Sequence, residues 1–218
     1  MANRFIVRDS GSNLFFHSGS DKIDCGVDFI GENAGSITAW VKLCSFGGAN
    51  NGRILSNGKI ELMVSTPGRI AGDTNGTGTI LGSSSKIVRF GHWYFITFTW
   101  DQNGLSNLYM NAVLNSSADV TNGAPVAGST NLFIGGRSAN DRGFHGYIDE
   151  VRIFDKVLSA NEISALYFNN KVPTGCVAEY LFNEGSGSLA LDTVGNHHGT
   201  ITGASYTTKK VFSARTTV

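Results

Sequence analysis

One stretch, GYIDEVRIFDKVLSANEISALY from Gly146 to Tyr167, limits what the whole chain can fold into. Its first half alternates with period two: Tyr147, Asp149, Val151 and Ile153 share one face of an extended chain, and Ile148, Glu150, Arg152 and Phe154 share the other. Large apolar groups on both faces predict a strand covered on both sides. Asp155 and Lys156 end that run, and Ser159 with Glu162 three residues later forms an S-x-x-E capping box. Leu158 and Ile163 stand at the positions of a hydrophobic staple, and Ile163, Leu166 and Tyr167 form one apolar stripe. Lys171 and Pro173 stop the helix. The stretch therefore predicts one short helix near 160–168 docked on a strand.

The remainder reads as strands and turns. Ser36 to Leu43 alternates, with Ile37, Ala39, Val41 and Leu43 on one face. His92 to Trp100 is an unbroken aromatic and β-branched run, which predicts a central strand with Trp93 and Trp100 in the core. Arg4 to Arg8 and Asn13 to Phe16 read as strands around a turn at Asp9–Ser12, and Ile54–Leu55 with Lys59 to Val64 as a hairpin around Asn57-Gly58. Residues 66–85 read as a loop excursion with one short strand at Thr79 to Leu81, and Asn131 to Ile134 as a further strand. After Ser106 to Met110 comes Asn111-Ala112, where alanine disfavours a positive-φ tip, so a departure from the tight hairpin turn is expected. The 28 glycines against 3 prolines fit many tight turns.

Charge and thiol content exclude several classes. Lys plus Arg and Asp plus Glu are 17 each, so no basic field draws nucleic acid. No apolar run is long enough to insert in a membrane, and MANRFIVRDS lacks the apolar core of a signal peptide. Cys25, Cys44 and Cys176 are odd in number and widely spaced, which reads as reduced thiols, with a Cys25–Cys44 bridge left open. No G-x-S-x-G, H-E-x-x-H, Walker loop or E-x-D-x-x-E strand occurs, and Glu61 is alone in KIELM. No catalytic residue is assigned, although carboxylates from separate strands remain an alternative.

The signature stretch, SITAWVKL, HWYFITFTWD and the Phe16 to Ile23 segment together resemble laminin-G-like, concanavalin A-like domains of the bacterial and phage type. The resemblance implies an all-β fold, an antiparallel two-sheet jelly-roll sandwich. It also implies carbohydrate or protein binding and, in some members, structural calcium. Val177 to Ile201, VAEYLFNEGSGSLALDTVGNHHGTI, is similar to the opening of such domains but here follows the signature. The expectation is one permuted domain over 1–218, with the family's usual N-terminal segment at 174–206; a second, truncated repeat is the alternative. Phe182, Leu189, Leu191 and Ile201 would be buried in its core.

Glycan recognition needs polar groups converging on a rim. The loop before the signature offers Asn140, Asp141, Arg142 and His145, and Arg53 and Asp73 can contribute from others. Asp149, placed among apolar neighbours, needs partners: either a calcium ion, with oxygens of the Gly19–Asp21 turn (Asp21 among them) supplied by the resemblance, or backbone N–H groups. Asp192 and Asn196 read as turn formers. The expected function is a non-catalytic module binding carbohydrate on a cell surface. The alternative is a structural or decoration protein of a virion or surface assembly acting through protein contacts, as a homo-oligomer or a virion part. Glycoside hydrolysis ranks behind both. The expected location is extracellular or on a virion surface.

Overall fold

A computed structural model describes residues 4–9, 11–74, 81–82, 88–119, 126–208 and 211–216. In chain order the strands are β1 (Arg4–Asp9), β2 (Ser12–His17), β3 (Lys22–Asp24), β4 (Gly35–Leu43), β5 (Arg53–Ser56), β6 (Glu61–Ser65), β7 (Arg69–Asp73), β8 (Leu81–Gly82) and β9 (Trp93–Trp100). They continue with β10 (Leu105–Met110), β11 (Val113–Asp119), β12 (Phe133–Ile134), β13 (His145–Phe154), β14 (Cys176–Tyr180), β15 (Leu189–Ala190), β16 (Gly199–Thr202), β17 (Ser205–Thr208) and β18 (Val211–Thr216), with helix α1 (Ala160–Asn169) between β13 and β14. No described helix is long and apolar enough to cross a membrane.

Two antiparallel sheets make the sandwich. One runs β11-β10-β9-β4-β13-β2-β17, with β14 beside the second half of β13; the other runs β15-β16-β3-β12-β5-β6-β7-β8. Between them Ile37, Val41, Phe98, Trp100, Leu55, Leu62 and Val64 are sealed from water. Trp40, Phe95, Phe154, Leu158, Ile163 and Tyr167 form a second cluster under α1. Trp93 and Trp100 are both core residues, and β9 is covered on both sides as its composition predicts. The helix begins at Ser159, whose side chain accepts from Glu162 N while the Glu162 carboxylate accepts from Ser159 N. Asn170, in the left-handed region at φ 52°, ends it.

The signature strand departs from simple alternation. Its register against β4 slips by one residue between Asp149 and Arg152, and Glu150 has φ 44°. This is a β-bulge. Ile148, Val151 and Ile153 therefore share the inter-sheet core, while Tyr147 and Phe154 lie on the helix side. Asp149 consequently shares a face with Tyr147 and its cross-strand partner Trp40, not with Val151 and Ile153 as unbroken alternation predicts. Arg152, buried beneath the helix, holds the bulge: it donates to Glu150 (3.2 Å), Glu179 on β14 (2.7 Å) and the cap residue Asn170 (3.0 Å).

Other expectations are also corrected. β1 pairs with β18 in a separate two-stranded sheet, so it forms no hairpin with β2. The excursion at 66–85 contains β7, whose Ile70 and Ala71 are buried; Thr79 and Ile80 of the expected strand lie outside the described residues. A Cβ at Gly72 would collide with the Phe98 ring of the facing sheet, which is what lets β7 pack there. Asn111 and Ala112 both take positive φ, 52° and 63°, between paired Met110 and Val113, so the tight hairpin tip forms despite the alanine. Asn57 organises a four-residue loop instead of a two-residue turn, its Oδ1 accepting from Lys59 N and Ile60 N. All three thiols are free; Cys25 and Cys44 follow strands of different sheets, and burial pushes the Cys25 thiol up to about 12.

In the C-terminal segment, β14 pairs with β13, β16 with β3, and β17 with β2. Ala178, Tyr180, Phe182, Ala190 and Ile201 join the inter-sheet core. Leu189 and Leu191, expected inside, are exposed; Ala190 between them points inward, as the pleat requires.

Candidate functional site

Register on the second sheet builds a cleft of about 400 Å³ on its outer face. Cross-strand partners share a face. One row pairs Arg53 on β5 with Met63 on β6, and the next pairs Ser56, Glu61 and Asp73 across β5, β6 and β7. These rows are the floor. Asn51, Gly58, Ser129 and Thr130 line the sides, together with Arg137, Ser138, Ala139 and Arg142 from the loop before β13.

The floor is charged yet screened from water. Arg53, 3% exposed, pairs through Nη2 with Glu61 Oε2 at 2.7 Å. Its Nη1 donates to the Asn51 carbonyl at 3.0 Å and to Met63 Sδ at 3.1 Å. Ser56 Oγ donates to Glu61 Oε1 at 2.9 Å, so both Glu61 oxygens are engaged. Burial lowers the Arg53 pKa against the support of Glu61, and the nearby Arg142 and Arg137 cations lower it further. On the wall, Arg137 grips Asp141 through two bonds of 2.6 Å. That bond raises Arg137 and holds the Asp141 carboxyl below its usual range. The loop is fixed from beneath: Arg53 N donates to the Arg142 carbonyl at 2.9 Å and Gly48 N to the Gly143 carbonyl at 2.9 Å. Gly47 has φ 76°, and a Cβ on it would fall 2.6 Å from the Gly143 carbonyl, so only glycine permits this approach.

Of the residues singled out in the sequence, Arg53, Asp73 and Arg142 meet in the cleft. Asn140 does not line it; at φ 57° it accepts from Lys22 Nζ at 2.8 Å. Asp141 faces Arg137. His145 begins β13 on the other sheet, 2.8 Å from Ser45 Oγ and edge-on to Phe15. Glu61, Met63, Arg137, Ser56 and Ser138 were missed. The available signal for Glu61 and Arg53 was an ionisable residue on each arm of an otherwise apolar hairpin.

Asp21 and Asp149 do not converge. Asp21 Oδ2 accepts from His17 N at 2.7 Å and contacts His17 Nδ1 at 2.9 Å, while Asp149 Oδ1 accepts from Glu150 N at 2.8 Å. His17 pairs with His145, four residues before Asp149, which is about 13 Å along a strand. The pair therefore does not fit one calcium ion, and among the described residues no three His, Cys, Asp or Glu side chains group as a metal site. An aromatic row across the first sheet, Phe15, Tyr147 and Trp93, is capped by Lys42, whose Nζ lies 4.0 Å from the Tyr147 ring centre and 5.3 Å from that of Trp93.

No curated protein sequence matches this chain. Among solved structures, a protein from Bacteroides ovatus, provisionally described as carbohydrate binding, superposes with TM-score 0.72 at 19% identity over 95% of this chain. This chain spans 62% of the length of that protein. A heptameric SAP-like pentraxin from Limulus polyphemus gives 0.61 at 11% identity, covering 88% of this chain and 95% of its own. Domain 4 of AbnA, an extracellular arabinanase from Geobacillus stearothermophilus in complex with arabinotriose, gives 0.57 at 17% identity, covering 77% and 82%. These likenesses show a common fold. Residues 17–164 match the Laminin_G_3 family model outright, and with the two-sheet sandwich and its signature strand in place, the chain belongs to the concanavalin A-like lectin/glucanases superfamily.

Proposed function

We propose that the chain is a non-catalytic carbohydrate-recognition module and that the outer cleft of the second sheet is its site. The observation that carries this reading is the cleft itself: a depression of about 400 Å³ whose floor holds Arg53, Glu61 and Asp73 in fixed places. Preset donors and acceptors suit vicinal hydroxyls, and the volume suits one or two sugar rings. The arabinanase domain bound to arabinotriose and the Bacteroides ovatus protein support a glycan as ligand. A glycan on a cell surface is the target this reading implies, met by a module that is extracellular or carried on a virion surface. Reading residues 1–218 as one module, with the opening segment at 174–206, is supported by the pairing of β14 with β13 and of β16 with β3.

A second reading, glycoside hydrolysis, draws on Glu61 and Asp73, which are directly opposed on β6 and β7. Against it, Arg53 and Ser56 occupy both Glu61 oxygens, which makes Glu61 an anchored acceptor and not a free acid. A glycan array decides. The protein should bind a defined set of glycans, and Ser138→Trp, which fills the cleft from an exposed loop position, should abolish binding without lowering the melting temperature. A blank array, or binding that survives Ser138→Trp, would overturn the assignment. Release of reducing ends by the wild type, lost in Glu61→Gln, would establish hydrolysis instead.

A further inference from the structure

We infer that the cleft selects a sugar bearing a negative charge, a uronate carboxylate or a sulfate ester; this rests on reading the cleft as a glycan site. Three guanidinium groups line it, Arg53, Arg137 and Arg142, against two carboxylates, Glu61 and Asp73. Arg53 is matched by Glu61 and Arg137 by Asp141 from outside the lining. Among the described residues the Arg142 guanidinium forms neither an ion pair nor a hydrogen bond. Its Nε is shut off from water and lacks an acceptor, and so does the Nε of the almost fully buried Arg53.

Buried donors without acceptors are costly, and native structures retain few of them. Both belong to side chains that line the cleft, and a ligand oxygen that shifts the groups covering them would supply the acceptor. A neutral hydroxyl would satisfy one N–H but supply no charge to Arg142, which feels Asp141 only at a distance because that carboxylate is bound to Arg137. A carboxylate or sulfate accepts from a guanidinium fork and neutralises it together. The floor carboxylates then serve as acceptors for hydroxyls elsewhere on the ring. The extent of the cleft, about 400 Å³, fits this group carried on one or two rings and not a long polyanion lying flat.

The test is an array of matched pairs. Oligogalacturonates, hyaluronan fragments and alginate fragments are each printed beside their methyl esters, and sulfated galactans beside desulfated counterparts. The strongest pair is then titrated by calorimetry. The charged member should bind about tenfold or more tightly than its neutral partner. Arg142→Gln should collapse that ratio towards one, chiefly by weakening the charged member, and leave the melting temperature unchanged, since the guanidinium forms no hydrogen bond or ion pair among the described residues. Preference for uronates or for sulfates identifies which anion is read. Equal binding of charged and neutral members, or a preference that persists in Arg142→Gln, overturns the inference while leaving the glycan site standing. An array blank for every class removes both.

Discussion

Replacing Asp192 with alanine removes a carboxylate that accepts four backbone N–H groups. Its Oδ1 takes those of Glu179 on β14 and Val194, each at 2.9 Å, and its Oδ2 takes those of Gly195 and His197, each at 3.0 Å. Tyr180 adds a 2.5 Å bond to the His197 carbonyl, so the whole 192–197 turn is clamped onto β14. A hydrogen bond to a charged acceptor contributes about 1.5 kcal/mol or more, but Val194 is exposed and Gly195 half-buried, so water replaces part of the loss. The expected cost of Asp192→Ala is about 3 kcal/mol. Asp192→Asn keeps one oxygen but turns an amide N–H₂ towards two N–H donors, for a cost of about 2 kcal/mol. Burial alone would raise the Asp192 pKa; the four N–H groups outweigh it and the net shift is downward. The folded value thus lies below the unfolded one. The charge contributes fully above the ordinary carboxylate range, and its contribution is lost as pH falls through the lowered value. Urea denaturation at pH 7 and at stepwise lower pH measures both effects, and the gap between wild type and Asp192→Asn should narrow in acid. A pH 7 stability of Asp192→Ala within about 0.5 kcal/mol of wild type would refute the clamp.

Three further outcomes are expected. Ala112→Gly should raise stability by up to about 1 kcal/mol, because φ 63° strains alanine and not glycine; a lower melting temperature would mean that the methyl packing against the helix-side cluster outweighs the strain. Glu162, held at about 2 chiefly by Lys156 and then by the Ser159 backbone, should contribute above the ordinary carboxylate range and lose that contribution between about 4.5 and about 2. Glu162→Gln should therefore flatten the melting-versus-pH curve in that window, by no more than about 1 kcal/mol at this half-exposed position. Excess EDTA should leave the melting temperature unchanged, since Asp21 and Asp149 lie apart; a drop that Asp149→Asn abolishes would place a metal on Asp149 after all.

The parts of the fold that could be read directly are those whose information is local. Alternation in SITAWVKL and the aromatic run in HWYFITFTW describe strands however they pair, and the capping box at Ser159 fixes the helix start from four residues. What escaped depends on distant neighbours. β1 meets β18 across nearly the whole chain, which no turn signal at Asp9–Ser12 can reveal. RIAGD reads as a loop because its glycine weakens a strand, yet that glycine is what admits the Phe98 ring. The bulge at Glu150 is hidden for a different reason. Glutamate seldom takes φ 44°, and the residues that compensate it, Arg152, Glu179 and Asn170, come from three separate segments.

The cleft illustrates how little of a site is visible before register is known. Period two alone says that Glu61 and Met63 point away from Leu62 and Val64; it does not say that Asp73 and Ser56 stand beside Glu61. Arg53 and Asp73 could be named only as polar loop residues, and charged residues in loops are ordinarily solvated. Here both are buried. A solvated face leaves its charges in water, whereas this floor keeps Arg53, Glu61 and Asp73 nearly dry on the side of the sheet away from the core. Charges withdrawn from water on an outer face are costly unless something meets them. The protein meets Glu61 with Arg53 and Ser56, and Arg137 with Asp141. At Arg142 and at Arg53, the Nε donors find no acceptor among the described residues.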